Sequence, residues 1–287
     1  MFQTDTLTIV GPGLLGTSVA LGLKARGFTG RILGVGRKPE TLQAAEATGA
    51  YDQVTSDLPE AIRQAGVVLI AVPLSGFKAV FAQIAAHGQP DLVVTDVGST
   101  KASVIADARV YLSDLSRVIG AHPMAGREQA GPQAGQPDLF VGKPCVMTVG
   151  PADDPQAVAL VESLWQTLGM WLIRMTPAEH DQKVAVISHL PHLAAVMLVQ
   201  VAQKMGGLEV ASTGFEGATR LASSNPPMRA DILEANGDCV RQALQAFRAA
   251  CDEIERLVQE GDHQAIVRYL ESVRDGRDQW LNDKNGS

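Results

Sequence analysis

The sequence predicts an α/β protein, a doubly wound and mostly parallel sheet followed by an all-α C-terminal domain. Three observations predict it. Over about the first 170 residues, short apolar runs alternate with helical patterns. Those runs are continuous rather than alternating, as in parallel strands covered on both faces. After Met175 the strand-like runs give out, and long stretches rich in Ala, Leu, Val and Gln replace them. The boundary is expected near residue 173, dividing the chain into 1–173 and 174–287.

The elements follow in order. Leu7–Val10 reads as a strand and Leu14–Arg26 as the helix after it. Ile32–Val35 is a second strand, and Pro39, at a first helical position, opens a helix that ends near Gly49. Val67–Val72 is a strand stopped by Pro73, followed by a helix over Gly76–Ala86. Leu92–Asp96 and Val118–Gly120 are further strands, and the runs Pro144–Val149 and Met170–Arg174 extend the sheet. Pro177–Met205 and Asn236–Gln259 read as long helices, with a shorter one over His263–Val273. Gly206-Gly207 and the Ser223–Pro227 cluster mark turns. The polar tail Asn282–Ser287 is expected to fray.

Composition narrows the function classes. A chain of 287 residues is long enough for two cores, and its 46% hydrophobic and 19% charged content is ordinary for a soluble protein. A formal charge of −7 argues against nucleic acid or an anionic membrane as the main partner. Any anionic substrate must therefore meet positive charge gathered locally. Cys145, Cys239 and Cys251 show neither metal spacing nor a disulfide framework, and read as reduced thiols of a cytoplasmic protein. The chain reaches Gly11 within one strand, so no signal peptide is expected. The apolar stretch Val184–Ala202 is broken by Ser188, His189, Pro191 and His192, which favours a buried helix over a membrane span.

Gly11-Pro12-Gly13-Leu14-Leu15-Gly16 follows the first strand and opens a helix. The first glycine permits the tight turn, the second lets backbone approach a pyrophosphate, and the third allows close helix–strand packing. The N–H groups around Leu14, Leu15 and Gly16 would then face the phosphates. This is the signature of a Rossmann-type dinucleotide domain. Enzymes that use NAD place an acidic residue at the end of the second strand. Here Gly36-Arg37-Lys38 stands there instead. Arg37 can pair with a 2′-phosphate that a carboxylate would repel, so NADP is favoured over NAD. The alternative is a solvated Arg37 that only stacks on adenine.

His122, in Gly120-Ala121-His122-Pro123-Met124-Ala125-Gly126, emerges from a predicted strand at the edge where such sheets bind ligands. A histidine beside a nicotinamide is a usable base near neutral pH. Asp96-Val97-Gly98-Ser99-Thr100-Lys101 ends another strand at that edge, where Ser99 is a site candidate and either hydroxyl is also an ordinary helix N-cap. The helical half opens with His180-Asp181 and reaches Ser188-His189-Leu190-Pro191-His192. Ser188 and His192, four apart, share a helix face, and Pro191 should bend the helix. No HExxH or carboxylate cluster accompanies the histidines, and no metal is expected. Arg220, after a glycine-containing loop, can hold a carboxylate bidentately or form a surface ion pair.

Together these segments resemble the prephenate/arogenate dehydrogenase family of tyrosine biosynthesis. The resemblance runs over Gly11–Gly16, Asp96–Lys101, Gly120–Gly131, His180-Asp181, Ile187–His192 and Thr219-Arg220. It implies a Rossmann domain, 1–173, and a helical domain for substrate binding and dimerisation, 174–287, with a homodimer formed through the latter. It implies the reaction of prephenate and NAD(P) to 4-hydroxyphenylpyruvate, CO2 and reduced cofactor. His122 would accept a hydrogen bond from the ring hydroxyl, with Ser99 orienting it. His180, Ser188, His192 and Arg220 would line the substrate pocket, and Glu128 would stand near its mouth. One departure is visible. Many members carry Phe-Arg-Asp-x-Thr-Arg, where this chain has Phe215-Glu216-Gly217-Ala218-Thr219-Arg220. A histidine at 192 suits the keto group of prephenate better than the ammonium of arogenate. At 287 residues, neither a fused mutase nor a regulatory domain of the ACT type is expected. The rival readings are an arogenate dehydrogenase, a β-hydroxyacid dehydrogenase with Lys183 as its catalytic group, and a non-catalytic NADP-sensing protein.

Overall fold

The computed structural model describes every residue except Arg127, Glu128, Gly286 and Ser287. The chain begins with β1 (Thr6–Val10), α1 (Leu14–Ala25), β2 (Arg31–Val35), α2 (Pro39–Glu46), β3 (Gln53–Thr55) and α3 (Leu58–Arg63). It continues through β4 (Val67–Ile70), α4 (Phe77–His87), β5 (Val93–Asp96), α5 (Ala102–Tyr111) and β6 (Val118–Pro123). β7 (Pro144–Thr148), α6 (Pro155–Thr167) and β8 (Trp171–Met175) close the sheet. The remainder is helical: α7 (Pro177–Val184), α8 (Leu190–Met205), α9 (Thr213–Thr219), α10 (Pro226–Ala235), α11 (Gly237–Glu260) and α12 (His263–Asn285).

The strand order is β3-β2-β1-β4-β5-β6-β7-β8. From β1 to β6 all pairings are parallel, β7 runs antiparallel to β6, and β8 is parallel to β7. The late apolar runs do extend the sheet. Side chains alternate across a strand, so a continuous apolar run feeds both faces. Leu7, Ile9, Val67 and Leu69 join one core with α1 and α6, through Val19, Leu23, Val161 and Trp165. Val10, Val68, Ile70 and Val94 join a second core with α3, α4 and α5, through Ile62, Phe81 and Val104.

The order reverses between β1 and β4, where sheets of this kind bind ligands beyond the carboxyl ends of their strands. Two elements had no apolar run to announce them. β3 has three residues, and α3 starts on an Asp57 cap whose carboxylate accepts from the Glu60 amide at 3.0 Å. At the other end, α12 does not stop at Val273, and the tail expected to fray is helical to Asn285. No proline interrupts it, and Gln279 donates to Asp283 one turn on at 2.7 Å.

Pro177–Met205 is helical throughout, with a single π turn over Ala185–His189 between α7 and α8. Pro191 offers no N–H to the carbonyl of Ile187, and its ring crowds that carbonyl. A wide turn immediately ahead of the ring relieves the clash. This run is long and apolar enough, by length and composition, to cross a membrane. One side of it buries His180, Asp181 and His189, while Val186, Ile187, Val196, Leu198, Val201 and Met205 are exposed.

Compactness divides the chain later than the change in composition does. One unit spans Met1–Gly237 and a smaller one begins at Asp238. Within the first unit, hydrogen bonds knit α7 and α10 to the sheet domain: Asp181 accepts from the Lys101 amide, and Asp231 from the Ser75 amide. The smaller unit consists of α11 and α12, with Val258, Leu270, Val273 and Trp280 exposed.

Candidate active site

The turn after β1 is built for a close approach. Gly11 has φ +103°, and a Cβ there would lie 2.5 Å from the Ala71 carbonyl oxygen, so only glycine fits. A Cβ on Gly16 would lie 2.4 Å from the Gly11 oxygen, which packs α1 tightly on β1. Gly13, by contrast, faces open space and caps α1 without a side chain. The first intrahelical bond is Thr17 N–H to Gly13 O at 2.9 Å, leaving the amides of Leu14, Leu15 and Gly16 at the positive helix end. These residues fit a dinucleotide pyrophosphate. At the end of β2, Arg37 and Lys38 are both exposed, and Lys38 precedes α2 in extended backbone.

His122 stands at the carboxyl end of β6, opposite Val146 of β7. It is half-buried. Its Nδ1 is 2.8 Å from His180 Nε2, and His180 Nδ1 is 2.7 Å from Asp181 Oδ1. The Asp181 carboxylate also accepts the amides of Lys101 at 2.7 Å and Ala102 at 2.9 Å. Burial alone would raise this carboxyl. The bonds from His180, Lys101 and Ala102 outweigh that and hold it below the usual carboxylate range. Singly protonated His180 therefore carries its proton on Nδ1, facing the carboxylate, and accepts through Nε2. His122 then donates from Nδ1 and leaves Nε2 as a lone pair, with no hydrogen bond among the described residues. Enclosure by protein, then the neighbouring His180 and Lys101, push the His122 imidazole well below its ordinary range. It is neutral at pH 7, as a general base must be.

The strand carrying His122 is itself pinned. Lys101, fully buried, forms an ion pair with Asp96 and donates to the Ala121 carbonyl at 2.7 Å. Asp96 accepts the Ala121 amide at 3.2 Å and the Gly98 amide at 2.8 Å. Ser99 lies half-buried in the turn between these two residues, at the sheet edge that holds His122.

A second group gathers around α8. Ser188 and His192 are both half-buried. His192 Nδ1 is 3.1 Å from the Leu221 carbonyl oxygen and 3.1 Å from Ser224 Oγ. The Ser224 hydroxyl donates to Leu221 O at 2.5 Å, so His192 is the donor in both of its contacts. Neutral His192 thus presents an acceptor at Nε2. Burial, then the Arg229 guanidinium, lower its pKa. A preference for a keto group does not follow from its charge. Arg220 is exposed in the turn after α9 and adds to the positive field on His192.

Comparison with known proteins gives this arrangement its context. Residues 19–174 match the family described as prephenate dehydrogenase, nucleotide-binding domain, and residues 176–272 match prephenate dehydrogenase, dimerization domain. The chain belongs to the prephenate dehydrogenase family. It is 33% identical to the prephenate dehydrogenase of Bacillus subtilis, over 96% of this chain and 76% of that protein. A cyclohexadienyl dehydrogenase of Zymomonas mobilis is 30% identical, with 94% of each chain covered. Among solved structures, prephenate dehydrogenase of Aquifex aeolicus, in complex with hydroxyphenyl propionate and NAD+, superposes with a TM-score of 0.91 at 29% identity. That match covers 96% of this chain and 98% of the other.

Within this prephenate dehydrogenase fold the predicted site residues take different places. His122 and His180 meet, but His180 is completely buried and stands behind His122 rather than on an open pocket wall. Glu128 lies outside the described residues. Lys183, on which the β-hydroxyacid reading depends, is exposed on α7. Sequence reading assigned no role to Asp181, Lys101, Asp96, Asn236 or Arg229. The first three lay in quoted segments, and a buried Asp or Lys at a strand end was the available signal. Asn236 stood at a predicted helix start, yet its amide donates to the Asp181 carbonyl at 2.8 Å.

Proposed function

We propose that this prephenate dehydrogenase family member converts prephenate to 4-hydroxyphenylpyruvate and CO2 on the way to tyrosine, with NADP favoured over NAD. The observation that carries the reading is the Asp181–His180–His122 chain, which leaves one histidine nitrogen free as an acceptor at the cofactor edge of the sheet. The names of the Bacillus relative and the Aquifex structure support the substrate. When bound, the nicotinamide accepts hydride from the ring carbon that carries the hydroxyl. His122 Nε2 takes the hydroxyl proton as that carbon becomes a carbonyl. Its Nδ1 proton stays directed at His180, and the Asp181 carboxylate offsets the positive charge. Loss of the ring carboxylate as CO2 sends its electron pair through the ring to the oxygen, which recovers the proton from His122. Ser99 orients the hydroxyl, and Ser188, His192 and Arg220 face the substrate from the helical side.

The Gly11–Gly16 turn holds the pyrophosphate, and Arg37 with Lys38 meets a 2′-phosphate. The second family match is named for dimerisation, and the exposed apolar side of the 177–205 run supports a homodimer through 174–287. Three free cysteines fit a cytoplasmic enzyme. The deciding assay follows reduced-cofactor absorbance with prephenate and with arogenate, each with NAD and NADP. Prephenate with NADP is expected to be fastest. No turnover in any of the four mixtures would sink the reading.

A further inference from the structure

α10 turns one face toward the α7–α8 run. Asn236, at its carboxyl end, reaches His189 Nδ1 at 3.3 Å as well as the Asp181 carbonyl. Ile232, four residues earlier, is buried. Arg229, three before Ile232 and seven before Asn236, falls on the same face. Its neighbour Asp231 serves elsewhere, accepting the Ser75 amide at 3.4 Å. Arg229 Nε is buried without a hydrogen-bond partner, and no ion pair to Arg229 occurs among the described residues.

His189 is in the same condition. The Asn236 amide donates to its Nδ1, so the ring proton of neutral His189 sits on Nε2. That nitrogen is also buried without a partner. Native proteins seldom leave buried donors unmet. Here two lie together, one of them on a cation, beside His192 and next to the base's own support. After burial, Arg229 is the largest influence holding His189 down to about 4. Neutral His192 offers the substrate no donor, so the positive charge that an anionic substrate needs comes from arginine, and Arg229 supplies it at the buried end while Arg220 stands exposed.

We infer that Arg229, with the unpaired N–H of His189, receives the side-chain carboxylate of the substrate and selects a keto acid over an amino acid. This rests on the dehydrogenase reading above and adds the specificity residue to it. Of the substrate's two carboxylates, the ring one is lost as CO2. A guanidinium bound to it would stabilise the charge that must leave. The side-chain carboxylate keeps its charge throughout, so a cation there binds ground and transition states alike. In arogenate the carbon next to that carboxylate carries an ammonium, which Arg229 would repel.

The test compares 4-hydroxyphenylpyruvate with tyrosine, which share ring and carboxylate and differ in keto against ammonium. Titration calorimetry on the full-length protein with NADP measures both affinities for the wild type, Arg229→Gln and Arg229→Lys. The wild type is expected to bind the keto acid at least about tenfold more tightly. The Gln form should weaken keto-acid binding by about 10- to 100-fold and narrow that ratio, as for loss of a charged hydrogen bond. The Lys form keeps the charge and should keep the preference. A wild-type ratio near one, a ratio unchanged in the Gln form, or a Lys form as indiscriminate as Gln would overturn the inference. Should the Gln form unfold, Arg229→Met, uncharged and of similar length, carries the same expectation. Keto-acid selection without prephenate turnover would remove the proposed activity and leave the Arg229 assignment standing. Turnover with no selection would do the reverse.

Discussion

His122 Nδ1 and His180 Nε2 lie 2.8 Å apart, and this contact decides which nitrogen of His122 is left free to accept a proton. Asp181 holds the proton of His180 on the far side of its ring, and His180 holds the proton of His122 on the near side. The outward Nε2 is left with its lone pair. The arrangement performs with two imidazoles what a carboxylate behind a single histidine performs in hydrolases.

Replacing His122 with Asn should lower kcat by about 10²- to 10⁴-fold, the usual contribution of a positioned base. KM for prephenate should change little, because the side-chain contacts remain. Steady-state kinetics check this. A rise in KM with kcat intact would place His122 among the binding groups instead.

Asp181→Asn should lower kcat by about 10²- to 10⁴-fold, through loss of the enforced tautomer. The acid limb of the kcat profile should move as well, because His122 would lose the carboxylate that offsets its charge. His180 is buried, so KM should hold. A variant that lost only stability, with kcat and pH profile unchanged, would reduce Asp181 to a structural bond.

Activity should fall on the acid side with an apparent pKa below the ordinary 6.5 of histidine, because enclosure holds His122 down. Stability should follow the same direction. His122 and His189 are depressed in the folded protein, so below 6.5 the unfolded chain binds more protons than the folded one. Stability is therefore complete above about 6.5 and is lost as pH falls toward 4, the folded value of His189. For His189 alone the loss is of the order of 3 kcal/mol. Urea midpoints measured between pH 7 and pH 4 would show it, and a flat profile would contradict it.

Lys101→Met should destabilise the fold by about 3–5 kcal/mol, because it leaves Asp96 as an uncompensated buried charge. The double variant with Asp96→Asn should cost less than the sum of the two singles. Denaturant unfolding of the three variants checks this, and strict additivity would mean the pair does not act as a unit.

Arg37→Glu should reverse the cofactor preference, raising KM for NADP about tenfold or more while sparing NAD, since a carboxylate there repels a 2′-phosphate. Equal effects on both cofactors would show that Arg37 only stacks on adenine.

The sheet was legible because its strands are apolar end to end. Residues such as Val67–Ile70 must fill two cores, and continuous runs of that kind are hard to mistake. β3 and α3 were not legible, since a three-residue edge strand and a six-residue capped helix carry too little pattern. His122 was found from its strand-end position and its surrounding turn. The partners that fix its tautomer were not. Lys101, Asp181 and Asn236 are polar groups that read as surface residues in one dimension, and only tertiary packing buries them. Arg229 was missed for the same reason, since a lone arginine on a short helix normally faces solvent.

The π turn at Ala185–His189 has a consequence for how this segment can vary in length. It is one residue longer than the regular helix that would join α7 to α8. Removing a single residue there would close the wide turn to ordinary winding and leave α8 in register, whereas a deletion inside α8 would turn everything downstream of it by about 100°. Helices on a protein surface usually absorb small deletions by sliding or fraying. This one keeps its slack in the wide turn, and a residue lost anywhere else along it is felt at every later position. A scan of one-residue deletions, read by unfolding midpoints, should find 185–189 more tolerant than the middle of α8.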